Sequence, residues 1–230
     1  MKPAAVAGIL LIVLPLAFNA AFAALAAKFD YPDILRKPTQ EILRRFRDGG
    51  SALVLLWWSF AMTAVLLAPA AVLLSGALAG ADSTLLSVGS ATGVLAAVAQ
   101  FLGLIRWPFL VPYLARAAID HGASEARKEA VDVVFQSFNR YLGVAVGEHL
   151  GYLFTGAWSV LAGAAMIQST AVPGWLGIVG IIVGGVLALC SLEFVGPFEP
   201  AGWKMAATLT PVTYIAWSLW LAAVGVFLLV

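Results

Sequence analysis

The chain has 230 residues, of which 62% are hydrophobic and 11% charged, and its mean hydropathy is +0.98. A soluble globular domain carries about 45–50% apolar and about 25% charged residues, so this composition excludes a water-soluble fold of this size. The net charge of +1 argues against a nucleic-acid-binding protein, and the single cysteine, Cys190, excludes an internal disulfide framework.

Six apolar segments follow one another along the chain, and each is long enough for a membrane-spanning helix of about 20 residues. They lack the period-2 alternation of β-strands, so helices are favoured over a β-barrel. The predicted fold is an all-α, polytopic membrane helix bundle, formed by a single domain over residues 1–230. The predicted spans are roughly 4–27, 52–79, 85–115, 140–168, 174–196 and 208–229.

The first segment also has features of a secretory signal peptide, because Lys2 precedes an apolar run with small residues. The run of about 24 residues is longer than the apolar region of such a peptide, which covers about 7–15 residues. We therefore expect an uncleaved transmembrane helix.

Basic residues are distributed unevenly between the two sides of the predicted bundle. Eleven of the thirteen lysines and arginines fall in 28–51, 116–140 and the last connection, whereas the opposite side carries only Lys2. Basic residues concentrate in cytoplasmic connections. The sequence therefore predicts cytoplasmic long connections and both termini outside.

Both long connections contain predicted helices. In the first, Ile42, Leu43 and Phe46 share one face, which indicates a short interfacial helix; a solvated charged loop is the alternative. In the second, Ser124 is a predicted N-cap of a helix that continues into the fourth span. The partners expected for the first helix are anionic lipids, contacted by Arg44, Arg45 and Arg47.

Ionisable and polar residues within the spans are the candidates for function, because such groups are costly in hydrocarbon. We expect a polar pocket in the cytoplasmic half of the bundle that binds or moves a small anionic or amphipathic ligand. The candidate ligand-binding residues are Gln100, Arg106, Glu148, His149, Tyr152 and Glu193.

Arg106 and Glu148 are predicted to pair. Each lies seven residues inward from a tyrosine, Tyr113 or Tyr141, so both are expected about 10 Å below the interface. The pair would be either part of the site or a structural clamp. Pro108 predicts a kink in the third span that opens room for the pocket.

The fourth span has two predicted faces at a helical spacing of 100° per residue. Tyr141, Glu148, Tyr152 and Thr155 fall on one stripe. Small residues form a neighbouring groove that favours close helix packing in a compact bundle. This groove is a doubled GxxxG pattern made by Gly143, Gly147 and Gly151.

No motif identifies an enzyme, a metal site or a cofactor. The chain contains no GxSxG, P-loop or HExxH pattern, and haem ligation by His149 would need a second ligand at the same depth, which His121 does not supply. The sequence predicts no cofactor and favours a non-enzymatic protein. Two alternatives remain open: an accessory or scaffold subunit of a membrane complex, and a membrane-embedded enzyme acting on a lipid or quinone.

Four stretches resemble a bacterial membrane family known as domain of unknown function 4386. The resemblance implies a multi-pass protein of the bacterial inner membrane, and it implies no activity or site residue. The stretches are Phe29–Leu35, Gln100–Pro112, Tyr141–Trp158 and Ser191–Glu199.

Overall fold

The computed structural model describes residues 2–119 and 123–230, and within these ranges it contains helices and no β-strand. His121 lies outside the described residues. Six helical stretches are long and apolar enough to cross a membrane, which confirms the predicted all-α bundle. They are Pro3–Phe29, Gly50–Ala77, Ser83–Ile119, Glu125–Gln168, Gly174–Phe194 and Lys204–Phe227.

Several of these stretches consist of more than one element. A short 3₁₀ turn, Ser191–Phe194, ends the fifth stretch, and two others, Asp33–Arg36 and Gly196–Phe198, lie in the connections. The α-helices are α1 (Pro3–Phe29), α2 (Thr39–Asp48), α3 (Gly50–Ala77), α4 (Ser83–Phe109), α5 (Val111–Ile119), α6 (Glu125–Phe138), α7 (Gly151–Gln168), α8 (Gly174–Cys190) and α9 (Lys204–Phe227).

The six spanning stretches form a closed ring in chain order. α1 packs on α3, α3 on α4, α4 on α7, α7 on α8, α8 on α9, and α9 returns to α1. Two contacts close the ring between α9 and α1. A Cβ added to Gly8 would lie 2.8 Å from the carbonyl oxygen of Gly225, and Asn19 donates a hydrogen bond of 3.0 Å to Ser218 Oγ.

Large side chains fill the centre of the ring in the half that contains the α3–α4 and α7–α8 connections. Trp158 lies between Trp217 and Trp220, with ring centroids 6.3 and 6.0 Å away, and all three are at most 3% exposed. The indole N–H of Trp220 donates to the carbonyl oxygen of Leu176 at 2.8 Å. This half of the bundle is therefore a packed core.

The opposite end of the bundle, which we call the basic end, is covered by α2, α5 and α6. Ile42, Leu43 and Phe46 share a buried face, as predicted, and belong to a cluster that includes Trp107 and Phe135. α5 and α6 pack over this face. The outward side of α2 carries its arginines.

The second helical connection starts as predicted. The hydroxyl of Ser124 accepts a hydrogen bond from the backbone N–H of Arg127 at 3.3 Å, which caps α6. From α6 the chain continues as one helical stretch through the fourth span to Gln168.

The middle of that stretch, Asn139–Leu150, is a π-helix, which we call the π segment. A π-helix has i→i+5 hydrogen bonds and a wider turn than an α-helix, so consecutive side chains are separated by a smaller angle. The stripe expected from an α-helical spacing is therefore wrong. Tyr141 is 68% exposed while Thr155 is fully buried.

The third span is interrupted near its basic end. α4 ends at Phe109 and α5 begins at Val111, after Pro108 and just before Pro112. A proline supplies no backbone N–H, so the regular hydrogen-bond ladder is broken there. The break re-aims α5 toward α2, so that α5 becomes part of the cover of the basic end.

Candidate functional site

The π segment presents its glycines to α4. A Cβ added to Gly103 would lie only 2.5 Å from the Cα of Gly147. One turn away on either side, a Cβ at Gly143 would lie 2.6 Å from Arg106 Nη2, and one at Gly151 would lie 3.1 Å from Gln100 Cγ. Glycine at these positions lets the two backbones touch and leaves room for the two polar side chains of α4.

Arg106 is held within this contact. Its Nη2 donates to Asn139 Oδ1 at 2.9 Å, its Nη1 donates to the carbonyl oxygen of Gly103, and its guanidinium carbon lies 5.4 Å from the ring centroid of Trp107. A largely buried guanidinium needs such partners, because it cannot lose its charge.

The predicted Arg106–Glu148 pair is wrong. Within the described residues, none of the ion pairs closer than 4.0 Å involves either side chain. The reason is local geometry: Gly147 faces α4, and the next residue, Glu148, is turned around the helix toward α8. The two side chains have different neighbours, since Arg106 meets Asn139 whereas Glu148 lines a pocket beside the end of α8.

Gln100 also has a partner inside the helix contact. Its side-chain amide donates to Thr155 Oγ1 at 2.6 Å, and this hydroxyl donates to the carbonyl oxygen of Gly151. Nearby, the indole of Trp217 donates to Ser159 Oγ at 2.9 Å and joins α9 to α7. Gln100 and Arg106 are thus placed between α4 and the fourth span.

A pocket of about 170 Å³ lies on the other side of the π segment, against the end of α8 and the following 3₁₀ turn. The pocket is not at the break in the third span, which is the position that Pro108 predicts. Four of the six predicted site residues line it: Glu148, His149, Tyr152 and Glu193. The remaining lining residues are Arg140, Val144, Ala145, Cys190, Ser191, Phe194 and Val195.

His149 fastens the two walls of the pocket together. Its Nδ1 lies 2.8 Å from the carbonyl oxygen of Ser191. A carbonyl oxygen only accepts hydrogen bonds, so Nδ1 carries the proton and donates. In the neutral ring, Nε2 is then an acceptor.

Glu148 and Glu193 are the two carboxylates of the pocket, and both are partly buried. Among the described residues, neither belongs to an ion pair within 4.0 Å. The backbone of Glu193 is fixed, since its carbonyl oxygen accepts from the N–H of Trp203 at 2.7 Å. The charged ends therefore face the pocket from two supported walls.

Arg140 lines the same pocket but already has a partner. It forms an ion pair with Glu199 and donates to the carbonyl oxygen of that residue at 3.0 Å. This contact ties the start of the π segment to the α8–α9 connection. Through Glu199, the α8–α9 connection is therefore held against the π segment.

Tyrosines separate the pocket from the centre of the bundle. The rings of Tyr152 and Tyr214 meet edge to face with centroids 5.3 Å apart, and Tyr214 stacks on Phe18 at 6.1 Å. Tyr31, in the first connection, packs edge-on against Trp57 at 5.0 Å. Burial, with a further contribution from the charge of Glu148 and opposed by Arg106, raises the pKa of Tyr31 to about 12. Tyr31 therefore keeps its proton and remains neutral near neutral pH.

Several pocket residues were not predicted, among them Cys190, Ser191 and Phe194. They lie within three residues of Glu193 in the sequence. This proximity to a predicted site residue is the signal that could have identified them. The role of the π segment in aiming Glu148 at them has no such signal in the sequence. Across the described residues, no three His, Cys, Asp or Glu side chains converge so as to hold a metal ion.

The fold and its polar interior define a class: a multi-pass membrane protein built as a six-span helix bundle. The family model described as "Domain of unknown function (DUF4386)" matches residues 6–229. The chain therefore belongs to this family, which confirms the resemblance seen in its sequence. No curated protein and no solved structure matches the chain.

Proposed function

We propose that this protein binds a small amphipathic molecule in the pocket between the π segment and the end of α8. The observation that carries the proposal is that Glu148 and Glu193 meet in one pocket with no ion pair to another described residue. Ionisable groups at membrane depth are costly unless a partner compensates them. A ligand would supply that partner.

The lining supports an amphipathic ligand rather than a purely polar one. Val144, Ala145 and Phe194 provide apolar surface beside the two carboxylates. The anionic ligand that the sequence also allowed is disfavoured, because Arg106, the cation expected to hold it, is engaged with Asn139 on the α4 side.

Binding at one end of the bundle is the proposed step, and passage through the bundle is not part of it. The pocket is confined to the basic half, whereas Trp158, Trp217 and Trp220 fill the opposite half. A route across the membrane would need to displace this tryptophan core.

We further propose that the basic end faces the cytoplasm of a bacterial inner membrane, with both termini outside. The concentration of lysine and arginine at this end supports the orientation. Arg44, Arg45 and Arg47 would then lie next to the cytoplasmic leaflet. Arg45 already pairs with Glu41 at 2.8 Å, so Arg44 and Arg47 are the main contacts proposed for anionic lipids.

Affinity labelling of Cys190 tests the pocket. Cys190 is the only cysteine of the chain and lines the pocket, so alkylation by a maleimide with a decyl chain reports a single position. The thiol sulfur adds to the maleimide double bond and the proton goes to the neighbouring carbon. We expect the labelling rate in nanodiscs to level off as probe concentration rises, because binding precedes reaction.

Two matched variants locate the binding event. Ala145→Trp fills the pocket and should lower the saturating rate at least about tenfold. Ala91→Trp adds the same bulk at an exposed position of α4 and should leave the rate unchanged. A rate that rises linearly with probe, or is equal in both variants, would contradict the proposal.

A further inference from the structure

The polar groups that the pocket offers to a ligand are mainly hydrogen-bond acceptors. The carboxylates of Glu148 and Glu193 accept hydrogen bonds when ionised, and Nε2 of His149 is an acceptor because Nδ1 donates to Ser191. Among the side-chain oxygen and nitrogen donors of the pocket wall, only the hydroxyl of Tyr152 and the Nε and Nη1 groups of Arg140 have no hydrogen bond to a described residue, and Arg140 is held by Glu199 through Nη2.

The donors around the pocket have other partners. The hydroxyl of Ser191 donates to the carbonyl oxygen of Ala188 at 2.7 Å. Arg140 is engaged with Glu199 through its ion pair and a second hydrogen bond. The pocket therefore has an excess of negative charge and of acceptors, with no free cation among its described lining residues.

We infer that the ligand of this pocket carries a primary ammonium group at the end of an apolar chain. The inference rests on the proposed function and names the class of ligand. A primary ammonium has three N–H donors and one positive charge, which match the two carboxylates and the imidazole nitrogen. The apolar chain lies along Val144, Ala145 and Phe194.

Two sources offer this chemistry in a membrane: the headgroup of an aminophospholipid such as phosphatidylethanolamine, and a free amphipathic amine. The pocket volume of about 170 Å³ holds a headgroup-sized portion of either. A reaction that couples the pocket carboxylates to any neighbouring amine distinguishes the two sources, because the group that becomes attached differs between them.

Carbodiimide coupling is such a reaction. A protonated carboxyl adds across a C=N bond of dicyclohexylcarbodiimide, its proton going to nitrogen and its oxygen to the central carbon. A neighbouring neutral amine, formed by proton loss from the ammonium, then attacks the activated carbonyl; an amide forms and dicyclohexylurea leaves. Without an amine, the adduct rearranges to an acylurea. Peptide mass spectrometry reads both products at each glutamate.

The full-length protein is placed in phosphatidylcholine nanodiscs with dodecylamine, or in nanodiscs containing phosphatidylethanolamine without it. We expect amide at Glu148 or Glu193 with a yield at least about tenfold above that at Glu129, an exposed glutamate of α6. Dodecyl amide identifies a free amine as the ligand source, and a phospholipid amide identifies a lipid headgroup. Dodecanol, which has the same chain without an ammonium, should not lower the amide yield.

The outcomes separate this inference from the proposed function. Acylurea without amide at both pocket carboxylates, or an amide yield that dodecanol lowers, would overturn the ammonium inference and leave an accessible pocket. No product of either kind at Glu148 and Glu193, with Cys190 also unreactive, would overturn both. The Glu148→Gln variant checks which glutamate carries each product, because in this variant only Glu193 can react within the pocket.

Discussion

The two sides of the π segment differ in how their polar groups are satisfied. Toward α4, Arg106 has Asn139, the carbonyl oxygen of Gly103 and the face of Trp107 as partners. Toward α8, Glu148 has a pocket in place of an ion pair. A buried charge with a complete set of partners serves the fold, whereas one that faces a pocket without them is available to a ligand.

A substitution in the glycine contact between α4 and the π segment should cause the largest change in stability. Gly103→Leu introduces a side chain whose Cβ would lie 2.5 Å from the Cα of Gly147. We expect it to lower the free energy of unfolding by about 3 kcal/mol, since overpacking forces the backbones apart. Titration with sodium dodecyl sulfate, followed by circular dichroism, measures the change.

Gly185→Leu is the matched control, because a Cβ at Gly185 in α8 meets no heavy atom within 4 Å. It should change stability by less than about 0.5 kcal/mol. Equal effects of the two substitutions would show that the close approach of α4 and the π segment is not what stabilises the bundle.

A double-mutant cycle tests which partner Arg106 uses. Arg106→Met and Asn139→Ala should show a coupling energy of about 2 kcal/mol, typical of a hydrogen bond to a charged group. The same cycle with Arg106→Met and Glu148→Gln should give a smaller coupling energy, because the two side chains form no ion pair within 4.0 Å. A larger coupling to Glu148 than to Asn139 would restore the ion pair expected from the sequence.

Sequence reasoning succeeded where hydropathy and capping decide the structure. The six spans follow from the lengths of the apolar runs, and the start of α6 follows from Ser124. The reasoning also found four residues that line the pocket, since each is polar at a depth where polar groups are costly.

Sequence reasoning failed where the helix changes from α to π. An α-helical spacing put Tyr141 and Glu148 on one face, and equal expected depth with opposite charge predicted the pairing of Glu148 with Arg106. The π segment rotates these residues by a different angle, and no residue pattern in Asn139–Leu150 signals this, because glycines suit close packing in either helix. The orientation of these side chains around the helix could therefore not be predicted from the sequence.

The exposed arginines of α2 give a smaller expected effect. Arg44→Gln and Arg47→Gln should each weaken the binding of phosphatidylglycerol by about 1 kcal/mol, the contribution of one basic residue near an anionic surface. Native mass spectrometry with increasing salt measures lipid adducts. Arg36→Gln is the control, since Arg36 is paired with Asp33 at 2.7 Å; an equal loss in this variant would argue for a general charge effect over a site on α2.

The smallest expected change in stability is on the pocket side. Glu148→Gln keeps the size of the side chain and breaks no ion pair among the described residues. The free energy of unfolding should therefore change by less than about 0.5 kcal/mol. In the labelling assay, a second maleimide whose decyl chain ends in an amine should no longer label Cys190 with a saturable rate. The same denaturant titration and labelling assay measure the two quantities on one sample.

Glu193→Gln extends this test to the opposite wall, because the backbone of Glu193 is held by Trp203 independently of its carboxylate. If either substitution unfolded the bundle, the carboxylates would be structural, as Arg106 is, and the two sides of the π segment would not differ. If both variants remained stable and only the double variant lost labelling, the two carboxylates would act as alternative partners for one cation.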